Sequence, residues 1–146
     1  MKTLILGVGN FLLKDEGVGI HVIRELEKES MPPNVGLMDG GTGGLHLLHW
    51  LRDYERIIMI DAALDDNLPG TIRLIHPRHA SDFPPLISAH EIGLRDMIEA
   101  MCMTGDLPEI RLIAVSAAKI NEIGTCLSPE IQAVIPEIVK LVKEQL

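Results

Sequence analysis

Three residues far apart in the chain are of types that together could do chemistry: Glu16, Asp61 and His90. Two carboxylates and an imidazole make a three-ligand set suited to a borderline divalent ion such as zinc or nickel. Glu16 follows the first apolar run, Thr3–Val8, and Asp61 follows the strongest later one, residues 57–60. His90 falls in the first turn of a helix announced by Ser88-Ala89-His90-Glu91, with serine at the N-cap and glutamate three residues on. In a parallel sheet the C-terminal strand ends share one rim, where α/β proteins bind their ligands, so the three residues can converge. Spacing alone leaves a plainer reading open. Acids near helix starts are often caps, and a histidine in a first turn is often a surface residue. Asp15, beside Glu16, is expected to be such a cap, opening the first helix.

Other constellations carry less. His46 with His49 and His76 with His79 match no specific metal pattern and read as surface residues. Gly-x-Ser-x-Gly is absent, and no serine falls on a strand-to-helix elbow. Cys126 lies at the mouth of the last helix, where a thiol pKa can fall, but no histidine partner is identifiable for it. The glycines after the first strand do not form a dinucleotide fingerprint, because Leu12 stands where its third glycine is required. No Gly-Lys-Ser/Thr follows to make a phosphate loop. Asp39-Gly40-Gly41-Thr42-Gly43-Gly44 is a dense glycine loop, either tight backbone or a surface that a bound chain can approach closely.

The elements that must hold these residues read as strand, helix, strand, short helix, strand, edge strand, helix, strand, helix. The strands are expected at residues 3–8, 35–38, 57–60, 71–75 and 110–115. The first and third are apolar without alternation, as buried strands with parallel neighbours are. Residues 71–75 alternate, as an edge strand does. Val18, Val22, Ile23 and Leu26 repeat at helical spacing. So do Leu45, Leu48 and Leu51, then Leu94, Met97, Ile98 and Met101, then Ile131, Val134, Ile135, Ile138 and Val142. Ser128-Pro129 opens the last helix, with proline where its missing N–H is harmless. This order predicts a three-layer α/β sandwich around a twisted, mostly parallel five-stranded sheet.

At 146 residues the chain is expected to form one domain, residues 1–146. With one Trp, one Tyr and two Phe, the core must be aliphatic. A net charge of −8 argues against a nucleic-acid backbone or an anionic membrane as partner. Cys102 and Cys126 lack CxxC spacing and read as reduced thiols of a cytoplasmic protein. No signal peptide or membrane-length stretch is evident.

GVGNFLLKDEGVG, DGGTGG, IMIDAA, SAHEIGL and IGTCLSPEI follow one another along the chain, and by these runs the whole chain resembles the hydrogenase maturation endopeptidases, which trim the C-terminus of nickel-containing hydrogenase large subunits. GVGNFLLKDEGVG (residues 7–19) resembles the family's N-terminal signature, and DGGTGG (39–44) its second loop. IMIDAA (58–63) resembles its third strand with the terminal aspartate. SAHEIGL (88–94) resembles its histidine-bearing helix start, and IGTCLSPEI (123–131) the opening of its last helix. The resemblance implies a mixed sheet whose one antiparallel strand fits residues 71–75. It implies an endopeptidase that removes a C-terminal extension from a precursor already holding nickel. Glu16, Asp61 and His90 are implied as the nickel-recognition site and as the best candidates for catalysis, with Asp39, Gly40, Gly41 and Thr42 holding the substrate tail. The nickel arrives with the precursor; no tightly bound organic cofactor is expected, and the isolated protein is expected to be largely metal-free. After residues 110–115 the chain reads Ser116-Ala117-Ala118-Lys119, where many relatives have a glycine and a proline-containing turn. That departure bears on substrate subtype and leaves the triad untouched. Two rivals are a non-hydrolytic metal-recognition or chaperone module on the same scaffold and a nucleotide-binding regulatory domain.

Overall fold

The structure, a computed structural model, describes residues 1–41, 48–78, 82, 94–105, 108–120 and 122–146. Its strands are β1 (Thr3–Val8), β2 (Val35–Gly41), β3 (Arg56–Ala63), β4 (Ile72–Ile75) and β5 (Glu109–Ser116). Its α-helices are α1 (Val18–Glu27), α2 (Leu48–Leu51), α3 (Leu94–Thr104) and α4 (Pro129–Glu144), and a 3-10 turn, Lys14–Gly17, precedes α1. The five strands form one sheet in the order β2-β1-β3-β5-β4. All neighbours are parallel except β4, which runs antiparallel to β5 at the edge. The expected sandwich, its parallel interior and its single reversed strand are all present.

Strand alternation sorts the core into two layers. Leu4, Leu6 and Val8 of β1, Ile57 and Met59 of β3, and Leu112 of β5 pack with Leu51 of α2 and Met101 of α3. Ile5, Ile58, Ile60, Ile113 and Val115 face the other way, onto α1 and α4. Both layers are aliphatic, as the scarcity of aromatic residues requires. In α1 the buried stripe of Val18, Val22, Ile23 and Leu26 leaves Arg24, Glu25 and Glu27 in solvent.

The start of α1 lies unusually close to the sheet. A Cβ on Gly19 would collide with the Ile60 carbonyl and stand 3.0 Å from the Val8 nitrogen and oxygen. A Cβ on Gly7 would in turn collide with the Gly19 carbonyl. Here helix backbone rests directly on strand backbone, which only glycine permits.

Three expectations need correction. The first is β2, which does not end at Met38 but continues through Asp39, Gly40 and Gly41. Gly7 pairs with Asp39 and Val8 with Gly41, so Gly40 is the extra residue of a bulge and the start of the glycine loop is strand. Asp61 lies inside β3, not beyond it, because β5 pairs with β3 as far as Ala63. Asp15 is not a helix cap; it sits within the 3-10 turn, and α1 opens at Gly17 with no side-chain cap. The expected capping box at Ser88, Leu45 of the short helix and His90 lie outside the described residues.

Candidate functional site

The C-terminal rim of the sheet is built around one glycine. Beyond Val8 the chain turns at Gly9, whose φ of 130° lies in the region that disfavours side chains. A Cβ there would collide with the Glu16 carbonyl and come to 3.6 Å from Asp61 Oδ1. Gly9 is thus the thin wall between the backbone of one candidate acid and the side chain of the other. The Asn10 side chain accepts the Leu12 N–H at 3.0 Å, and the Asn10 and Leu13 carbonyls accept the Leu13 and Glu16 N–H groups, each at 3.1 Å. Those bonds wind the 3-10 turn. Lys14, at φ 45°, is the one non-glycine residue with positive φ among the described residues. Such conformations persist where surrounding structure dictates them, often at functional sites.

Glu16 is 4% exposed and Asp61 is 0% exposed. Asp61 Oδ1 accepts the Ala62 N–H at 2.8 Å. By alternation Asp61 belongs to the face of Ile57 and Met59, the side covered by α3. The structure therefore brings Glu16 and Asp61 to the same rim. His90 lies outside the described residues. Among those described, no group of three or more His, Cys, Asp or Glu is arranged to hold a metal ion.

A third buried acid stands beside them. Asp15, 1% exposed, receives four hydrogen bonds from the segment joining β5 to α4. The Ala118 and Lys119 N–H groups donate at 3.0 and 2.7 Å, the Ser128 N–H at 2.7 Å and the Ser128 hydroxyl at 2.8 Å. Buried charge is tolerated only with such compensation. Ser128 does precede α4 as its N-cap, but its hydroxyl serves Asp15 and makes no cap bond.

Of the predicted substrate-tail residues, Asp39 is exposed and its Oδ1 accepts the Gly41 N–H at 3.0 Å. Gly40 is half-buried, and the Gly41 carbonyl accepts the Gly9 N–H at 2.8 Å. That bond joins the end of β2 to the wall between the acids. Thr42 lies outside the described residues. His49 is exposed, edge-on to Trp50 with ring centroids 5.5 Å apart, and His76 is exposed, in keeping with their reading as surface residues. His46 and His79 are outside the described residues. Cys102 and Cys126 are free and exposed thiols.

Two ionisable groups near the rim are perturbed. Burial pushes His21 below its usual range, Arg24 adds to that, and a hydrogen bond with the Thr125 backbone opposes it, as do Asp15 and Glu25. The His21 ring lies 5.0 Å from that of Phe11, and the Arg24 guanidinium stacks 3.9 Å from the Phe11 centroid. For Asp65, burial pushes the carboxyl up, but hydrogen bonds from Ser116 and Asn67 and the charge of Arg73 outweigh it and leave the pKa lowered. Ser116 Oγ donates to Asp65 at 2.8 Å and Arg73 at 2.9 Å, which ties β5, β4 and the loop after β3 together.

Sequence reasoning missed the role of Asp15 and the Asp65 network. Asp15 did carry a signal, since an aspartate next to a candidate ligand is a natural supporting group, but its partners lie more than a hundred residues away. A hollow of about 520 Å³ lined by His76, Arg78, Glu109 and Arg111 lies where β5 begins, at the opposite rim from the acids. No helix among the described residues is long and apolar enough to cross a membrane.

Comparison with known proteins agrees with this geometry. Residues 20–145 match the HycI family, described as hydrogenase maturation protease. The chain is 35% identical over 140 residues to the hydrogenase 2 maturation protease of Escherichia coli (strain K12), covering 92% of this chain and 84% of that one. Its fold superposes on the hydrogenase maturating endopeptidase HybD from E. coli with a TM-score of 0.88 at 34% identity, covering 97% of this chain and 90% of that one. The NiFe hydrogenase maturation protease HybD from Thermococcus kodakarensis gives a TM-score of 0.81 at 29% identity, covering 99% of both chains. Sequence and fold agree over nearly the full length, and the chain belongs to the hydrogenase maturation proteases, a family of endopeptidases.

Proposed function

We propose that this endopeptidase removes the C-terminal extension of a nickel-loaded hydrogenase large-subunit precursor in the cytoplasm, and that Glu16, Asp61 and His90 sense the nickel. The observation that supports this reading is that two buried acids reach one rim, with Gly9 lying between the backbone carbonyl of Glu16 and the side chain of Asp61. Carboxylate oxygen and imidazole nitrogen suit nickel, whereas the soft thiolates of a hydrogenase precursor hold it more tightly. The triad therefore touches the cargo metal without extracting it. An unloaded precursor lacks that contact and is a poor substrate. The metal serves as a positional check that brings the scissile bond to the rim. Asp39, Gly40, Gly41 and Thr42 hold the substrate tail, with the small residues allowing its backbone to approach.

The test is in vitro processing of the cognate precursor with and without nickel, read as C-terminal mass. Nickel-dependent loss of a short peptide is expected, abolished by Glu16→Ala or His90→Ala in folded protein. Equal cutting of loaded and unloaded precursor would refute metal sensing. Binding of the loaded precursor without any cutting would refute the processing role.

A further inference from the structure

We propose that Asp15 is a positioning residue for Glu16: it locks the turn that carries Glu16 to the segment between β5 and α4, so that this distant segment fixes where the Glu16 carboxylate stands. The inference rests on the reading of Glu16 as a metal-sensing group. Asp15 is buried, and its four hydrogen-bond donors come from residues 103 to 113 positions away. Oδ2 accepts from Ala118, Lys119 and the Ser128 hydroxyl, and Oδ1 accepts from the Ser128 N–H. All four hydrogen-bond partners of the carboxylate among the described residues are donors, so an amide in its place would turn its own N–H₂ against N–H groups.

The same segment grips the turn on its other flank. The Lys14 N–H donates to the Gly124 carbonyl and the Gly124 N–H to the Leu12 carbonyl, both at 2.8 Å. Lys14 Nζ meets Glu122 at 3.2 Å. The residue after Asp15 is Glu16, whose carbonyl is walled in by Gly9. Glu16 is therefore held between a glycine contact on the sheet side and a carboxylate anchor on the loop side. Supporting hydrogen bonds of this kind set the orientation of a functional group.

The test is a double-mutant cycle in the full-length protein, joined to a readout that does not depend on cutting. Asp15→Asn is expected to lower kcat for the nickel-loaded precursor about tenfold or more while KM stays within about twofold. Against the residual activity of Glu16→Gln, the same change is expected to add less than about twofold, because its effect runs through Glu16. A full loss in both backgrounds, or unchanged kcat in folded Asp15→Asn, would overturn the proposal. The independent readout is Ser128→Ala, which deletes one donor to Asp15 from a distant part of the chain. In that variant the side-chain carboxyl carbon resonance of Glu16 is expected to shift. A shifted Asp15 resonance with Glu16 unmoved would overturn the proposal even where Asp15→Asn fails to fold. Should the wild-type protein cut nothing, the functional reading fails, and the resonance test still decides the positioning role.

Discussion

Two carboxylates at opposite rims of the same sheet, Glu109 and Asp15, are stabilised in different ways. Glu109 lies where β5 begins, with its side chain 42% exposed, and pairs with Arg56 at 3.1 Å and Arg111 at 2.9 Å. Burial alone would raise its pKa, but the hydrogen bonds and charges of the two arginines outweigh it and lower it. Asp15 is buried and accepts its four hydrogen bonds from backbone N–H groups and a hydroxyl, all electrically neutral. Guanidinium groups cancel the charge of Glu109 in solvent, where such pairs contribute little. Neutral donors hold the Asp15 charge without cancelling it, and Glu16 and Asp61 add two more acids to the same rim. One rim meets its acid with guanidinium charge, whereas the other gathers three buried acids and holds Asp15 with neutral donors.

The sharpest way to break this comparison is Asp15→Ala. It leaves the buried N–H and hydroxyl of Ser128 and the part-buried N–H groups of Ala118 and Lys119 without their acceptor, and is expected to lower stability by about 2–3 kcal/mol, read as a fall in the urea midpoint. A change below about 1 kcal/mol would mean the clamp is not what holds the turn. Gly9→Ala combines a disfavoured φ with a collision against the Glu16 carbonyl and should lose about 1–3 kcal/mol by the same measurement, with processing reduced as well.

A smaller effect is expected from His21. Its folded pKa lies below its ordinary 6.5, so between the two values the unfolded chain binds the extra proton. Stability should therefore rise as pH increases through that window and level off above about 6.5. His21→Gln should flatten this part of the profile; an unchanged slope would show that His21 is not its source. The smallest effect belongs to Glu109→Gln, expected within about 1 kcal/mol of wild type in chemical denaturation. A loss matching that of Asp15→Ala would erase the contrast between the rims.

What could be read in the sequence follows from the range of the interactions involved. Residues 57–60 declare a buried strand because four bulky apolar residues in succession have few other uses in a chain of this length. The start of α1 is legible from its helical spacing, since that periodicity is local. The extension of β2 through Asp39, Gly40 and Gly41 is not, because glycines carry no side-chain pattern and the pairing depends on β1. Asp15 reads as a cap because nearby sequence offers only a helix to cap. Its true partners become neighbours only when α4 folds back against the first loop. Of the candidate site, the shared rim of Glu16 and Asp61 is legible from the apolar runs, but the place of Asp61 inside β3 is not, because that strand is prolonged by its pairing with β5. Their separation by Gly9 needed the fold.

The contact of Gly19 with the backbone of Ile60 and Val8 has a consequence for how this enzyme tolerates change. Where a helix rests on side chains, its height above the sheet drifts whenever a core residue grows or shrinks. Here the spacing at the first turn of α1 is set by main-chain atoms in direct contact, which no substitution elsewhere can resize. Deeper along α1, Ile23 and Leu26 can exchange volume with their neighbours while the end bearing the acids keeps its place. The helix is pinned at its first turn and adjustable at the other end, so the core can vary without the candidate site having to follow.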